Sequence, residues 1–257
     1  MDYSPEPVRP KFTAEDALAV EVVNTGREEP DYAALMAQPL CWQLPSESPT
    51  VLIIHTHTSE SYDHSGKDYA ETAPYRTLDE NYNMLSIGDR VAALLEAEGI
   101  QVIHDREFHD YPSYNTAYTH ARKALQRLLQ QNPGIQLVLD LHRDASEGSG
   151  GQLRTHAQVN GADSAQLMLV LGTGNAALEN DRWEASLSLA LKLQFTLEQQ
   201  TEGICRPISL RSQRFNQDLA PCSLLVEVGA AGDSQEEALI AAEELAKALI
   251  ALRYGTG

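Results

Sequence analysis

The feature that most restricts the possible folds is an alternation of short apolar runs with longer helical patterns after residue 50. Short runs rich in apolar residues are typical of buried strands, and they occupy 51–54, 101–104, 136–140, 167–171 and 224–228. Apolar residues recur at helical spacing in 83–98, 114–131, 184–200 and 234–249. This alternation predicts an α/β domain with a mostly parallel central sheet and helices on both faces.

The first 49 residues lack this pattern. They are rich in proline and acidic residues and have only weak periodicity, although 14–23 could form a short helix or strand. We therefore expect an N-terminal tail or linker segment at 1–49, able to pack against a single domain at 50–257. No apolar run approaches the roughly 20 residues that span a bilayer, and no secretory signal is recognisable. The chain is predicted to be soluble, either cytoplasmic or a portion of a longer protein.

The charge of the chain excludes one class of partner. Its formal net charge is −18, whereas binding to phosphate backbones requires clustered Lys and Arg, so we expect no nucleic-acid partner. The same charge argues against an anionic membrane surface. Three cysteines, Cys41, Cys205 and Cys222, lack CxxC spacing. They are predicted to be buried thiols, with a Cys205–Cys222 disulfide as the alternative.

Histidines follow two of the predicted strands. His55 and His57 come after the first strand, and His142 follows the third. Ligands of parallel α/β sheets bind at the carboxyl ends of strands, and imidazole is a common zinc ligand. The pattern therefore suggests a metal site, although single histidines at strand ends are more often structural. His55 and His57 share a face if the strand continues, and only one of them binds if the chain turns after residue 54.

Carboxylates provide candidates for a further ligand and for proton transfer. Asp79 and Glu80 precede the first long helix, where capping of that helix explains them equally well. Glu227 lies inside an apolar strand, where an acid is costly unless it is paired or used. Burial would raise its pKa toward the range that suits general acid–base catalysis. The structural alternative is an ion pair with Arg211 or Arg214.

Four stretches of the sequence resemble the signatures of the stage II sporulation protein P (SpoIIP) family. They are VLIIHTHTSESY at 51–62, DLHRDA at 140–145, RSQRFNQ at 211–217 and LLVEVG at 224–229. The resemblance covers roughly residues 50–252, and the four motifs stand in the order found in the family. No GxSxG elbow, P-loop or HExxH motif offers a competing interpretation.

The resemblance implies a peptidoglycan hydrolase related to the zinc-dependent N-acetylmuramoyl-L-alanine amidases. Their fold is a single α/β domain (phosphorylase/hydrolase-like) with Zn²⁺ at the strand ends. They cleave the amide between muramic acid and the stem peptide, and endopeptidase activity on cross-links accompanies it. The family acts in septal wall thinning and engulfment during sporulation, alongside the lytic transglycosylase stage II sporulation protein D. Its members face septal peptidoglycan outside the cytoplasmic membrane and are anchored by a membrane helix. No such helix is recognisable in this sequence, so we expect a soluble portion of a member or a family variant.

The resemblance also implies roles for individual residues. His57 and His142 resemble the two zinc histidines of the amidases, and Glu227 resembles their late catalytic glutamate. Glu80 is at the place of the middle ligand, with Asp79 and Glu60 as substitutes because the surrounding sequence departs from the amidase pattern. In this hypothesis Glu227 takes a proton from water and delivers it to the leaving amine. The guanidinium of Arg143 or Arg214 stabilises the oxyanion or grips a stem-peptide carboxylate.

Two alternatives use the same residues differently. A zinc peptidase or carboxypeptidase would need the same site chemistry and would act on ordinary peptides. A non-catalytic wall-binding module would keep the histidines as structural groups, although such a module rarely needs both a buried acid and two histidine clusters. Cleavage of muropeptides separates the three possibilities.

Overall fold

The predicted α/β class is confirmed by the computed structural model, which describes residues 9–40, 42, 44, 48–148 and 151–256. Within these residues the centre of the fold is a seven-stranded sheet. We number its strands along the chain as β1 (Val22–Asn24), β2 (Val51–Ile54), β3 (Val102–His104), β4 (Leu137–Asp144), β5 (Leu167–Gly172), β6 (Ile208–Arg211) and β7 (Cys222–Ala230). Their order across the sheet is β1-β6-β5-β7-β4-β2-β3.

The sheet consists of two parallel blocks that run in opposite directions. All neighbouring strands are parallel except β5 and β7, which are antiparallel. The carboxyl ends of β2, β4 and β7 therefore meet at one edge of the sheet. These are the strands that carry or precede His57, His142 and Glu227, so the topology brings three candidate residues to the same place.

Helices cover both faces of the sheet. The long helices are α2 (Met84–Ala97), α3 (Ala117–Gln131), α4 (Trp183–Gln200) and α5 (Gln235–Ala251), and a short helix α1 spans Tyr32–Ala37. Helices α2, α4 and α5 pack on one face over the main apolar core. Helix α3 packs on the other face through Ala121, Ala124 and Leu125, which contact β2 and β4. The part of this second face that α3 leaves uncovered borders a cavity.

The helix boundaries follow local sequence chemistry. Asn83 caps α2 by accepting a hydrogen bond from the Leu85 backbone N–H at 3.0 Å. The predicted capping box of Ser234 and Glu237 is present at the start of α5. Helix α3 is shorter than predicted because a 3₁₀ turn, Tyr114–Thr116, replaces its first turn. Strand β6 has no counterpart among the predicted strands.

The segment predicted to be a tail packs onto the rest of the chain. Strand β1 extends the sheet as its edge beside β6. Leu35 and Met36 in α1 are buried, and the Trp42 indole N–H donates to the Leu252 carbonyl at 2.9 Å. The boundary at residue 50 stays a prediction, and the structure describes only part of the segment before it.

Two further expectations concern cysteines and membrane segments. Cys205 and Cys222 are free thiols, so the alternative of a disulfide between them is wrong, and Cys41 lies outside the described residues. Burial raises the pKa of both thiols, that of Cys222 to about 11. Across the part of the chain that the structure describes, no helix is long and apolar enough to cross a bilayer.

Candidate active site

The turn after β2 separates the two neighbouring histidines. The His57 ring lies 5.4 Å from the His142 ring between centroids, at an interplanar angle of 82°. His55 instead contacts the Leu141 carbonyl through Nδ1 at 3.1 Å and the His104 ring through Nε2 at 2.8 Å. The strand ends at Ile54, so the two side chains do not share a face. Of the two alternatives, His57 is the one that lies beside His142.

Two carboxylates flank the His142 ring. Asp140 Oδ1 lies 3.0 Å from Nε2, and Glu60 Oε2 lies 3.5 Å from Nδ1. Burial alone would lower the pKa of His142, but the two carboxylates outweigh it and hold that pKa well above its usual value. Asp140 is fixed in turn by Thr56, whose backbone N–H and hydroxyl both donate to it at 2.8 and 2.6 Å. The ring thus lies between two carboxylates, although its buried Nε2 makes no hydrogen bond among the described residues.

Glu60 is the buried carboxylate of the cluster. The residue is 3% exposed, and its Oε1 lies 3.4 Å from Nη1 of Arg143. Burial alone would raise the pKa of Glu60, but Arg143 and His142 outweigh this effect and lower the pKa to about 2. Glu60 is thus ionised at neutral pH and adds negative charge between the two histidines.

Glu227 lies on β7 directly beside His142 on β4. Its Oε2 is inaccessible to solvent and has no hydrogen-bond partner among the described residues. Burial raises the pKa of this carboxyl to about 7, against the opposing effect of His142. No ion pair to Arg211 or Arg214 is present in the described part of the chain, so the structural explanation considered above lacks its partner. A carboxyl that titrates near neutrality is suited to proton transfer.

Aromatic stacking holds the His57 ring. Tyr114 stacks on it at 4.1 Å between centroids with an interplanar angle of 12°, and Tyr118 from α3 meets its edge at 5.6 Å. The guanidinium carbon of Arg76 lies 3.8 Å from the centre of the Tyr114 ring, on the outer side of the stack. Burial lowers the pKa of His57 to about 4, so the imidazole is neutral at pH 7. Its Nδ1 is buried with no hydrogen-bond partner among the described residues.

These groups line one cavity on the face of the sheet beside α3. It has a volume of about 350 Å³ and contains both histidines and both glutamates. Its remaining walls are formed in part by aromatic and basic side chains, namely Tyr114, Tyr118, Phe215, Arg143 and Arg211. The cavity is large enough for a small segment of a peptide or sugar chain.

Two residues expected at the site as ligands lie outside this cavity. Glu80 has a side chain that is 53% exposed and pairs with Arg106 at 2.7 Å. Asp79 accepts hydrogen bonds from the backbone and side chain of Asn81 at 3.0 and 2.9 Å, in the turn that precedes the α2 cap residue Asn83. The assignment of Glu80 as the middle ligand therefore stays a prediction, and Glu60 is the carboxylate that lies beside His142.

The two arginines proposed for the oxyanion or a carboxylate differ in position. Arg214 pairs with Asp218 at 3.2 Å and lines a neighbouring, mainly apolar cavity, and its role toward an oxyanion or a carboxylate stays a prediction. Arg143 does line the catalytic cavity, but its guanidinium donates to the carbonyls of Ser61 and Tyr75, each at 3.0 Å, and faces Glu60. The contacts of Arg143 are those of a group that holds the loop around Glu60.

The donor set can be compared with what a zinc ion requires. Among the described residues no group of three or more His, Cys, Asp or Glu side chains has the geometry to hold a metal ion. The donors nevertheless fit: His57 presents a buried Nδ1 without a partner, and Glu60 is ionised beside His142. Two imidazoles and a carboxylate are a usual ligand set of catalytic zinc.

Several residues of this site were not assigned a role from the sequence. Asp140 precedes His142 by two residues, and alternation along a strand puts both on one face, so this partner could have been found. Tyr114, Tyr118 and Arg211 reach the site from a 3₁₀ turn, a helix and a distant strand. No spacing pattern in the sequence near these residues predicts such contacts.

Comparison with known proteins gives one curated relative and several distant structures. Stage II sporulation protein P of Bacillus subtilis (strain 168) is 26% identical over 206 residues, which are 76% of this chain and 49% of that protein. The chain thus spans about half the length of the curated relative it matches. The N-acetylmuramoyl-L-alanine amidase AmiC2 of Nostoc punctiforme is 18% identical at a TM-score of 0.43, covering 78% of this chain and 95% of that one.

A second solved structure gives a similar result, and the family model gives a stronger one. The CwlD amidase from Clostridioides difficile, solved in complex with the GerS lipoprotein, is 15% identical at a TM-score of 0.47 and covers 79% of this chain and 96% of that one. The fold assignment rests on the sheet topology described above. The family model of stage II sporulation protein P matches residues 8–250. Because that match includes all four signature stretches, the chain belongs to the stage II sporulation protein P (SpoIIP) family.

Proposed function

We propose that this chain is a zinc-dependent peptidoglycan hydrolase that cleaves the amide between N-acetylmuramic acid and L-alanine of the stem peptide. The observation that carries the proposal is the convergence of His57, His142, Glu60 and Glu227 in one cavity. Membership of the sporulation family supports wall remodelling and engulfment as the setting.

His57, Glu60 and His142 would hold the metal. When bound, zinc supplies Lewis-acid activation of water and of the scissile carbonyl. Neutral His57 and ionised Glu60 are in the protonation states that ligands require, whereas His142, whose pKa is raised by the carboxylates beside it, would lose a proton on binding the metal. Asp140 contacts the His142 ring at 3.0 Å, and the Tyr114 stack fixes the plane of His57.

Glu227 is assigned the proton transfers. With a pKa raised to about 7, it can accept a proton from the attacking water and return it to the leaving amine nitrogen. Glu227 lines the cavity and has no competing ion pair in the described part of the chain, which supports this role for its carboxyl. Amide hydrolysis needs both proton transfers because the amine is a poor leaving group without protonation.

The remaining elements of the proposal concern substrate and location. Residues 50–257 are proposed as the catalytic domain and 1–49 as a segment that packs against it. Peptidoglycan stem peptides are the proposed substrate, and septal peptidoglycan outside the cytoplasmic membrane is the proposed location. Stage II sporulation protein D is the proposed partner enzyme, since a glycan-cleaving activity would complement cleavage of the stem peptide.

Digestion of defined muropeptides tests the reaction. We expect products in which N-acetylmuramic acid has a free lactyl carboxylate and the stem peptide has a free L-alanine amine, both identified by mass spectrometry. A peptide of the same stem sequence without muramic acid is the matched control and should remain intact. Cleavage of the free peptide alone would favour the peptidase alternative, and cleavage of neither would favour the wall-binding module.

Zinc content tests the ligand set. We expect about one zinc per chain in the wild type and little or none in His57→Ala, His142→Ala and Glu60→Gln. Glu80→Gln should retain zinc because Glu80 is exposed and paired with Arg106. Elemental analysis after dialysis against zinc, with circular dichroism to verify folding, measures this. Retention by Glu60→Gln with loss by Glu80→Gln would contradict Glu60 as a ligand and support Glu80.

A further inference from the structure

An arginine faces the catalytic cavity from the side opposite the histidines. Arg211 on β6 lines the cavity that contains His57 and Glu227. Along β6 it alternates with Ser209, which is paired with Val170 of β5, another lining residue. Arg211 therefore lies on the same face of the sheet as the catalytic groups. The cavity extends across the strands from β4 to β6.

The guanidinium of Arg211 lacks a carboxylate partner among the described residues, unlike three other arginines near the site. Its Nε donates to the Ser209 hydroxyl at 2.8 Å, and no ion pair to it occurs among the described residues. By contrast, Arg143 faces Glu60, Arg206 pairs with Asp144 at 2.7 Å, and Arg214 pairs with Asp218. In a chain with a net charge of −18, an uncompensated cation in a cavity is the feature that attracts an anionic ligand.

The segment after Arg211 is held firmly against the sheet. Gly172, paired with Arg211 across β5 and β6, allows a close approach, since a Cβ there would lie 2.0 Å from the Gln213 carbonyl oxygen. The Gln217 side chain accepts from the Gly172 N–H at 2.7 Å and donates to the Val170 carbonyl at 2.9 Å. Phe215 adopts a left-handed conformation, φ 51°, and lines the cavity. These contacts keep Arg211 at the cavity wall.

We propose that Arg211 binds a carboxylate of the stem peptide and so selects anionic stems over amidated ones; this deepens the proposed function and rests on it. An arginine fork binds a carboxylate through two charge-assisted hydrogen bonds. Strands β4 and β6 are three steps apart, ~14 Å at the usual strand spacing. An arginine side chain covers part of that span. The recognised carboxylate therefore lies roughly two or three residues beyond the cleaved amide.

Binding of uncleaved substrate tests this assignment separately from catalysis. The probes are two N-acetylmuramoyl stem peptides that differ only in having free carboxylates or carboxamides at the second and third residues. Their affinities are measured by calorimetry on zinc-loaded chains carrying Glu227→Gln, which removes the proposed proton carrier so that the probes stay intact. Arg211→Gln and Arg211→Lys are then added, and Arg127→Gln is the matched control because Arg127 is an exposed arginine on α3.

We expect the parent to bind the carboxylate probe at least about ten-fold more tightly than the carboxamide probe. Arg211→Gln should remove this preference by weakening only carboxylate binding, Arg211→Lys should keep part of it, and Arg127→Gln should keep all of it. Equal affinities for the two probes, an unchanged preference in Arg211→Gln, or no binding of either probe would overturn the assignment. Failure of the wild type to cleave muropeptides, with this preference intact, would instead contradict the proposed reaction.

Discussion

Glu227→Gln should lower the turnover of muropeptides by about 10²- to 10⁴-fold, the range that a positioned acid–base group contributes. Glutamine keeps the size of the side chain and cannot exchange a proton at neutral pH. The raised pKa of Glu227, about 7, arises mainly from burial and shows that the protein holds this carboxyl where both protonation states are accessible. Steady-state kinetics on a defined muropeptide measures the effect, which should appear in kcat more than in KM.

The loss of turnover in Glu227→Gln can be assigned to proton transfer only if zinc binding and stability stay unchanged. Glu227 is not among the proposed zinc ligands, so Glu227→Gln should bind zinc like the wild type and unfold at a similar urea concentration. Glu107→Gln is a matched control, because Glu107 is an exposed glutamate paired with Arg127 on the protein surface. Turnover by Glu227→Gln within a few-fold of the wild type would remove Glu227 from the chemistry and assign it a structural role.

The sequence allowed a good prediction of the fold because hydrophobic periodicity depends on burial. Strands β2 and β5 and the long helices α2 and α4 have boundaries within a residue or so of the predicted ones. The relative direction of neighbouring strands was harder to predict from the sequence. An apolar run such as 167–171 has the same pattern in a parallel and an antiparallel neighbour, so the reversal between β5 and β7 required tertiary information.

The short strands β1 and β6 were harder to predict for a related reason. Strand β6 has four residues and ends in Arg211, which departs from the continuous apolar pattern of the inner strands. Strand β1 has three residues and is mostly exposed. Each is stabilised by its neighbours in the sheet more than by its own sequence, so periodicity carries little information about them. Arg211 was consequently considered only as a partner for Glu227.

The candidate site was predictable where topology alone decides position. His142 and Glu227 follow from the rule that parallel strands present their carboxyl ends at one edge. The choice between His55 and His57 required knowing that the strand ends at Ile54. The position of Glu60 depends on a buried loop that Arg143 holds from a different strand. Such a loop has no periodic signature, which is why Glu80, at a plausible place in sequence, was preferred.

Arg143→Ala should lower the free energy of unfolding of the zinc-free protein by about 3–5 kcal/mol, as expected when one partner of a buried charge pair is removed. Arg143 is 4% exposed, and its loss would leave the Glu60 carboxylate buried without that counter-charge. It would also remove the donors to the Ser61 and Tyr75 carbonyls. Urea denaturation followed by circular dichroism, in the presence of a chelator, measures the change.

The comparison with an exposed arginine separates a structural role of Arg143 from a catalytic one. Arg127→Ala removes an exposed pair with Glu107 and should change the unfolding free energy by at most about 1 kcal/mol. If Arg143→Ala unfolds like the wild type but loses turnover, its guanidinium acts on the substrate, as in the oxyanion hypothesis. If stability falls as expected, the pair with Glu60 is a structural element that keeps the carboxylate beside His142, and loss of activity would follow from loss of that position.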